Sequence, residues 1–187
     1  RQMCIRDRSN TATAGVCLPT AGAEEFGDMY FFNLFDNHAD SLSGNYYDPE
    51  VAAEIAKIAD KRTVRMVDHY TALTPVNDGF EVGMTYANYN INVYTKNPQR
   101  YIQELAEYQA AANQNGFEDV TLGAFEINSG DYTGQIMVVI QAPTAVRLGE
   151  FFDAGEEAWN VAASAKFPKL RKLKRGFLMT CEIVYAR

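Results

Sequence analysis

Much of what catalytic motifs require is scarce in this chain. Its 187 residues include two histidines, His38 and His69, one tryptophan, three cysteines and six prolines. No HxxxH, HxH or HExxH spacing occurs, so no resident metal is expected, and Asp36 and Asp40 beside His38 form only a loose acidic cluster. A GxGxxG fingerprint, a Walker-type loop, a GxSxG elbow and a cysteine–histidine nucleophile pair are all missing, which speaks against nucleotide-dependent and hydrolytic chemistry. Apolar runs fall well short of the roughly 18 residues of a spanning helix, so no membrane partner is expected. Basic residues number 17 against 24 acidic ones, a net charge of −7. A nucleic-acid partner needs a basic footprint. The one concentrated run, Lys169, Arg171, Lys172, Lys174 and Arg175, alternates with Leu170 and Leu173 and reads as a solvated connection from a helix to a terminal strand.

What is present suits a packed core: 47% of residues are hydrophobic, 12% aromatic and 22% charged, within the range of globular domains. The first residues stand apart. Gln2-Met3-Cys4-Ile5-Arg6-Asp7 resembles a translated sequencing adapter, reading CAG ATG TGT ATA AGA GAC. Residues 1–8 are therefore set aside as an adapter-like scar, and a fragment lacking its natural amino terminus is expected. Without them the balance is 14 basic against 23 acidic residues. Two cysteines remain, Cys17 and Cys181. They lie in strand-like runs without a CxxC and are expected as separate buried small side chains, not as a pair. The compartment stays open.

A strand–helix grammar begins at Met84. Tyr86 to Tyr94 alternates, with Tyr89, Ile91 and Val93 on one side and Asn88, Asn90 and Asn92 on the other. Asn97-Pro98 supplies an N-cap and a first-turn proline for a helix over 98–114. Its stripe is Tyr101, Leu105, Tyr108 and Ala112, and Gly116 ends it. A strand over 120–127, a turn at Asn128-Ser129-Gly130-Asp131 and a strand over 135–141 follow. Thr144 caps a helical stretch over 145–165, broken near Gly155, with Leu148, Phe151, Phe152, Trp159 and Val161 inward and Phe167-Pro168 as its end. Gly176 to Tyr185 is the last strand. The order β-α-β-β-α-β is that of the ferredoxin-like unit, with two helices on one face of a four-stranded antiparallel sheet. The other face needs cover.

Upstream residues offer that cover. Tyr30 to Phe35 reads as a strand, Asp48-Pro49 caps a helix carrying Val51, Ile55 and Ile58, and Val64 to Leu73 alternates as a further strand. A shift of 105 positions lays Ser43–Asp48 on Leu148–Asp153, Phe31–Phe35 on Ile136–Ile140, and Gly15–Ala21 on Val120–Glu126. This order of elements points to a duplication. The expected fold is α+β, with tandem ferredoxin-like repeats: an incomplete first repeat over 9–74, a linker over 75–83 and a complete second repeat over 84–187. In that order the chain resembles the dimeric α/β-barrel superfamily in its tandem form, over about residues 13–187. The resemblance implies two repeats pressed sheet against sheet around a cavity. Members use such a cavity for cofactor-free monooxygenation, haem binding or isomerisation, and others have no known chemistry.

The candidate ligand-binding face is Asn88, Asn90 and Asn92 with Tyr86 and Tyr94. Three alternating amides suit a wet cavity that offers donors and acceptors to a small molecule. The alternative is an exposed strand in a barrel that never closes. His69 is the candidate catalytic proton-transfer group; Asp68 alternates to the other side of the strand, so the two form no dyad. His38 follows a strand end and borders a cavity mouth as a further ligand contact. Two functions remain open: a small-molecule-binding barrel, whose enzymatic version is a cofactor-free, monooxygenase-like activity, and a non-catalytic structural or interaction protein. Haem binding is a third, weakened because neither histidine lies in the second repeat, so no cofactor is expected. Self-association through exposed sheet is expected of a truncated barrel.

Overall fold

The computed structural model describes residues 10–43, 53, 56–76 and 79–187. The strands are β1 (Thr13–Ala21), β2 (Tyr30–Leu34), β3 (Tyr70–Ala72), β4 (Thr85–Tyr94), β5 (Thr121–Ile127), β6 (Ile136–Ala142) and β7 (Lys172–Ala186). The helices are α1 (His38–Ser43), α2 (Pro98–Gln114), α3 (Ala145–Asp153), α4 (Ala158–Ser164) and α5 (Phe167–Leu170), with 3₁₀ turns at Ala59–Lys61 and Ala154–Glu156.

Capping explains the sharp helix starts. The side chain of Asn97 accepts from the Arg100 N–H at 3.1 Å, and Thr144 accepts from the Arg147 N–H at 3.0 Å, each supplying an oxygen to a first-turn donor that has no intrahelical partner. Pro98, at the first helical position, gives up no useful donor. Gly116, at φ +85°, takes the left-handed conformation after α2, and a glycine adopts it without the Cβ penalty.

Among the described residues, seven strands form one antiparallel sheet in the order β2-β1-β7-β4-β6-β5-β3. Residues 85–186 follow the expected strand–helix–strand–strand–helix–strand order, and their strands lie side by side as β7-β4-β6-β5. The upstream strands do not form a separate layer. β1 pairs with β7, Cys17 opposite Cys181, and β3 pairs with β5, Tyr70 opposite Ile127. The sheet curls until its edges approach one another: the His38 ring, just past β2, lies 5.2 Å from that of His69, just before β3. Tyr132, in the β5–β6 turn, donates to Glu24, in the β1–β2 connection, at 3.1 Å.

Alternation gives the sheet two different faces. On one, Ala87, Ile91 and Val93 of β4 join Val138 and Ile140 of β6 against Tyr101, Leu105 and Tyr108 of α2, Leu148 and Phe151 of α3, and Phe167 of α5. The other face carries Cys17, Tyr86, Phe177, Met179, Cys181 and Ile183, with Tyr30, Phe32 and Phe80 packed against them. The division expected of β4, apolar residues toward the helices and amides away, is thus observed.

Several expectations are corrected. Cys17 and Cys181 form a disulfide; they stand directly opposite across β1 and β7, a proximity that spacing along the chain cannot reveal. Of the strand expected over Val64 to Leu73 only Tyr70–Ala72 pairs. Phe167-Pro168 begins α5 instead of ending a helix, proline again occupying an early position. Val161 is exposed. The terminal strand starts at Lys172, so Lys172, Lys174 and Arg175 of the basic run lie within the sheet. Asp48, Pro49, Val51 and Ile55 of the expected upstream helix lie outside the described residues.

Arg147 fastens the connection before β5 to α3. Its Nε donates to both carboxylate oxygens of Asp119 at 3.0 Å, its Nη1 meets Glu150 at 2.8 Å, and its guanidinium lies 4.5 Å from the Phe117 ring centroid. The hydrogen bond from Arg147 is the main reason the Asp119 carboxyl titrates below its ordinary value. A depressed carboxyl stabilises the fold above its unfolded-state value, and that contribution is lost as pH falls through the folded value. Asp119→Asn is therefore expected to cost less than about 1 kcal/mol at pH 7, since the pair is half exposed. The gap from wild type should close as pH drops below about 3.9, which urea titrations at pH 7 and at acid pH would measure.

Candidate functional site

Position 88, 90 or 92 of a central strand is an unusual place for an amide. β4 lies between β7 and β6, so its side chains have neighbours on both flanks. Asn88 faces Gln141 and Met179 across the ladders, Asn90 faces Val139 and Phe177, and Asn92 faces Met137 and Arg175. The three asparagines are buried, at 6%, 5% and 4% exposure, so their amides cannot satisfy themselves in bulk water. The Nδ2 of Asn88 points at Cys181 Sγ, 3.7 Å away, and that of Asn90 at Met137 Sδ, 3.5 Å away. Sulfur is a weak acceptor. Oδ1 of all three has no partner. An unpaired buried carbonyl costs on the order of 1–3 kcal/mol, and three in one row are a large concentration of that cost.

The positions flanking the row are less covered. Met137, Val139 and Gln141 of β6 and Phe125 of β5 are only half-buried. Tyr86 is buried beside the disulfide, and desolvation pushes its phenol well above the usual tyrosine range. Tyr94 sits at the end of β4 and is 46% exposed.

At the Asn92 end lies a charged cluster that sequence reasoning missed. Arg175, opposite Asn92, donates to the Tyr30 hydroxyl at 2.8 Å and pairs with Glu24 at 2.6 Å. Its guanidinium lies over Phe177, 4.7 Å from the ring centroid, and Tyr30 stacks on the same ring at 5.4 Å. Tyr70 approaches Asp68 at 3.5 Å; the other carboxylate oxygen of Asp68 is buried without a partner, and desolvation raises its pKa. The available signal was phase: Arg175 is in step with Phe177, Met179, Cys181 and Ile183. Reading the basic run as a solvated connection concealed it.

The histidines form a different group. His69 is half-buried beside Asn128, 3.4 Å from its Nδ2, and His38, exposed, approaches Thr71 Oγ1 at 3.5 Å. Asn128 also donates to Thr71 at 2.6 Å. The structure thus brings His38 and His69 together, 5.2 Å apart, but their side chains meet Thr71 and Asn128, not the asparagine row. Asp36 pairs with Arg187, while Asp40 accepts from Asn10 and Asn37 at 2.7 Å, so both carboxylates are engaged away from His38. Among the described residues, no group of three or more histidine, cysteine or acidic side chains is placed to hold a metal. No described helix is long and apolar enough to cross a membrane. No family model and no curated protein matches this chain.

Two cavities lie away from the asparagines and the histidines. One, of about 90 Å³, is lined by Ile91, Leu105, Leu122, Val138, Ile140 and Phe167, among others, beneath the helices. It is an apolar packing gap. The other, of about 380 Å³, is an open groove beside Arg100, Glu104 and Lys166. The buried Glu104 carboxylate there is paired with Arg100 and with Lys166, 3.0 Å away, leaving little free charge to attract a ligand.

Proposed function

We propose that the face of the sheet carrying Asn88, Asn90 and Asn92 binds a small molecule, in a chain built from tandem ferredoxin-like repeats of the dimeric α/β-barrel type. One observation carries the binding reading: three consecutive inward positions of a central strand hold buried amides whose oxygens have no donor. Packing alone would favour apolar residues at such positions, because an apolar replacement removes the unpaired group. A ligand that supplies the missing partners accounts for their presence.

The repeat reading is supported by the pattern of pairing. The β7-β4-β6-β5 order matches a ferredoxin-like unit, and the upstream strands attach to both of its outer strands, β1 on β7 and β3 on β5. No proton-transfer role is assigned to His69, whose contacts lie with Asn128 and His38.

Differential scanning fluorimetry of the full 187-residue chain against a panel of phenols, quinones and other planar metabolites tests the binding reading. A ligand at a hundred times its Kd is expected to add about 2.7 kcal/mol, or roughly 5–10 °C for a chain of this size. No shift with any compound, together with an unchanged melting temperature after dialysis against denaturant and refolding, would leave a structural role as the better account.

A further inference from the structure

The unpaired groups have a chemical sign. Among the described residues, five buried side-chain nitrogen or oxygen atoms lack a hydrogen-bond partner: Oδ1 of Asn88, Asn90, Asn92 and Asp68, and Oε1 of Gln135. All five are acceptors. Gln135 precedes Met137 by two residues and shares its side of β6 by alternation, and Asp68 stands beside Tyr70, whose phenol it approaches at 3.5 Å. The deficit is therefore of donors.

We infer that the molecule taken up by this face is a neutral compound presenting several hydroxyl hydrogens, an inference that rests on the binding reading above. A carboxylate or a fully methylated ether offers acceptors only and would leave the five oxygens unpaired. A polycation would meet the guanidinium of Arg175, whose side chain is 15% exposed and lies opposite Asn92. Hydroxyl groups satisfy both needs, because each donates one hydrogen and still accepts from a neighbouring N–H or O–H. Alternate residues of a strand recur about every 7 Å, so the asparagine row offers acceptors to hydroxyls set well apart on one ligand. Phe177, Phe125 and Tyr86 give the same face an apolar floor.

Isothermal titration of the full chain with four probes tests this. Hydroquinone and myo-inositol carry hydroxyl donors on an aromatic and an aliphatic ring; 1,4-dimethoxybenzene and terephthalate keep a similar layout with acceptors only. At least tenfold tighter binding of a hydroxylated probe than of both acceptor-only probes is expected, and whichever ring binds tighter identifies the source of the hydroxyls. Equal or tighter binding of an acceptor-only probe would overturn the inference while leaving the binding reading intact. Failure of all four overturns the inference and, if the wider panel is also silent, the binding reading. Asn90→Leu and, separately, Asn92→Leu should each weaken the hydroxylated probe by tenfold or more while raising the melting temperature of the unliganded protein by a few degrees. Wild-type affinity in both variants would overturn the assignment to this row.

Discussion

Replacing both Cys17 and Cys181 by alanine is expected to lower the stability of the protein by about 3–5 kcal/mol. The two sulfurs join residues 164 positions apart, so nearly the whole chain is closed into a loop in the unfolded state. Loop-closure entropy for a ring of that size corresponds to about 5 kcal/mol, and residual structure in the denatured chain lowers the effective value. The bond holds β1 onto β7 at a directly opposed pair, and those strands carry most of the second core. At roughly 2–4 °C per kcal/mol for a chain of this length, the melting temperature should fall by about 6–20 °C. Thermal unfolding of the double-alanine variant, and of wild type with and without reductant, measures it. A change below about 1 kcal/mol in both experiments would show that the strands are held without the bond.

How much of this could be read beforehand depended on whether the cause was local. The start of α2 is set by Asn97 and Pro98 and its end by Gly116, all adjacent to what they control, and the helix expected over 98–114 is the helix observed. The amides of β4 likewise declared their shared face through a period of two. The disulfide is different in kind: Cys17 and Cys181 meet only because β1 is laid along β7, a long-range pairing with no mark in either segment. The cluster of Arg175, Tyr30 and Glu24 was hidden for the same reason, since its members come from separate elements and a charge run invites a solvent-facing reading. β3 was overestimated because alternation from Val64 to Leu73 satisfies the strand template, while pairing needs a partner and β5 supplies one only for Tyr70–Ala72. The two histidines were treated singly; their approach depends on the curl of the sheet.

The aromatic cluster under α3 permits a comparison between neighbours in the chain. Phe151 is 3% exposed and lies edge-on to Phe117 at 5.2 Å and to Tyr108 at 6.1 Å, with Trp159 at 6.5 Å. Its rings arrive from α2, from the connection before β5 and from α4, so truncation opens a cavity that no single element can close. Phe151→Ala is expected to cost about 3–5 kcal/mol. Phe152, the next residue, is 41% exposed and makes its ring contact with Tyr89 at 5.3 Å. Its removal leaves a surface depression that water fills, and about 1 kcal/mol is expected. Both substitutions delete the same side chain from the same helix, so helix propensity and denatured-state effects largely cancel between them. The difference measured by urea unfolding reports burial within this aromatic cluster. A larger loss from Phe152→Ala than from Phe151→Ala would mean that α3 is rotated from the orientation described and that the helix-covered core is packed differently.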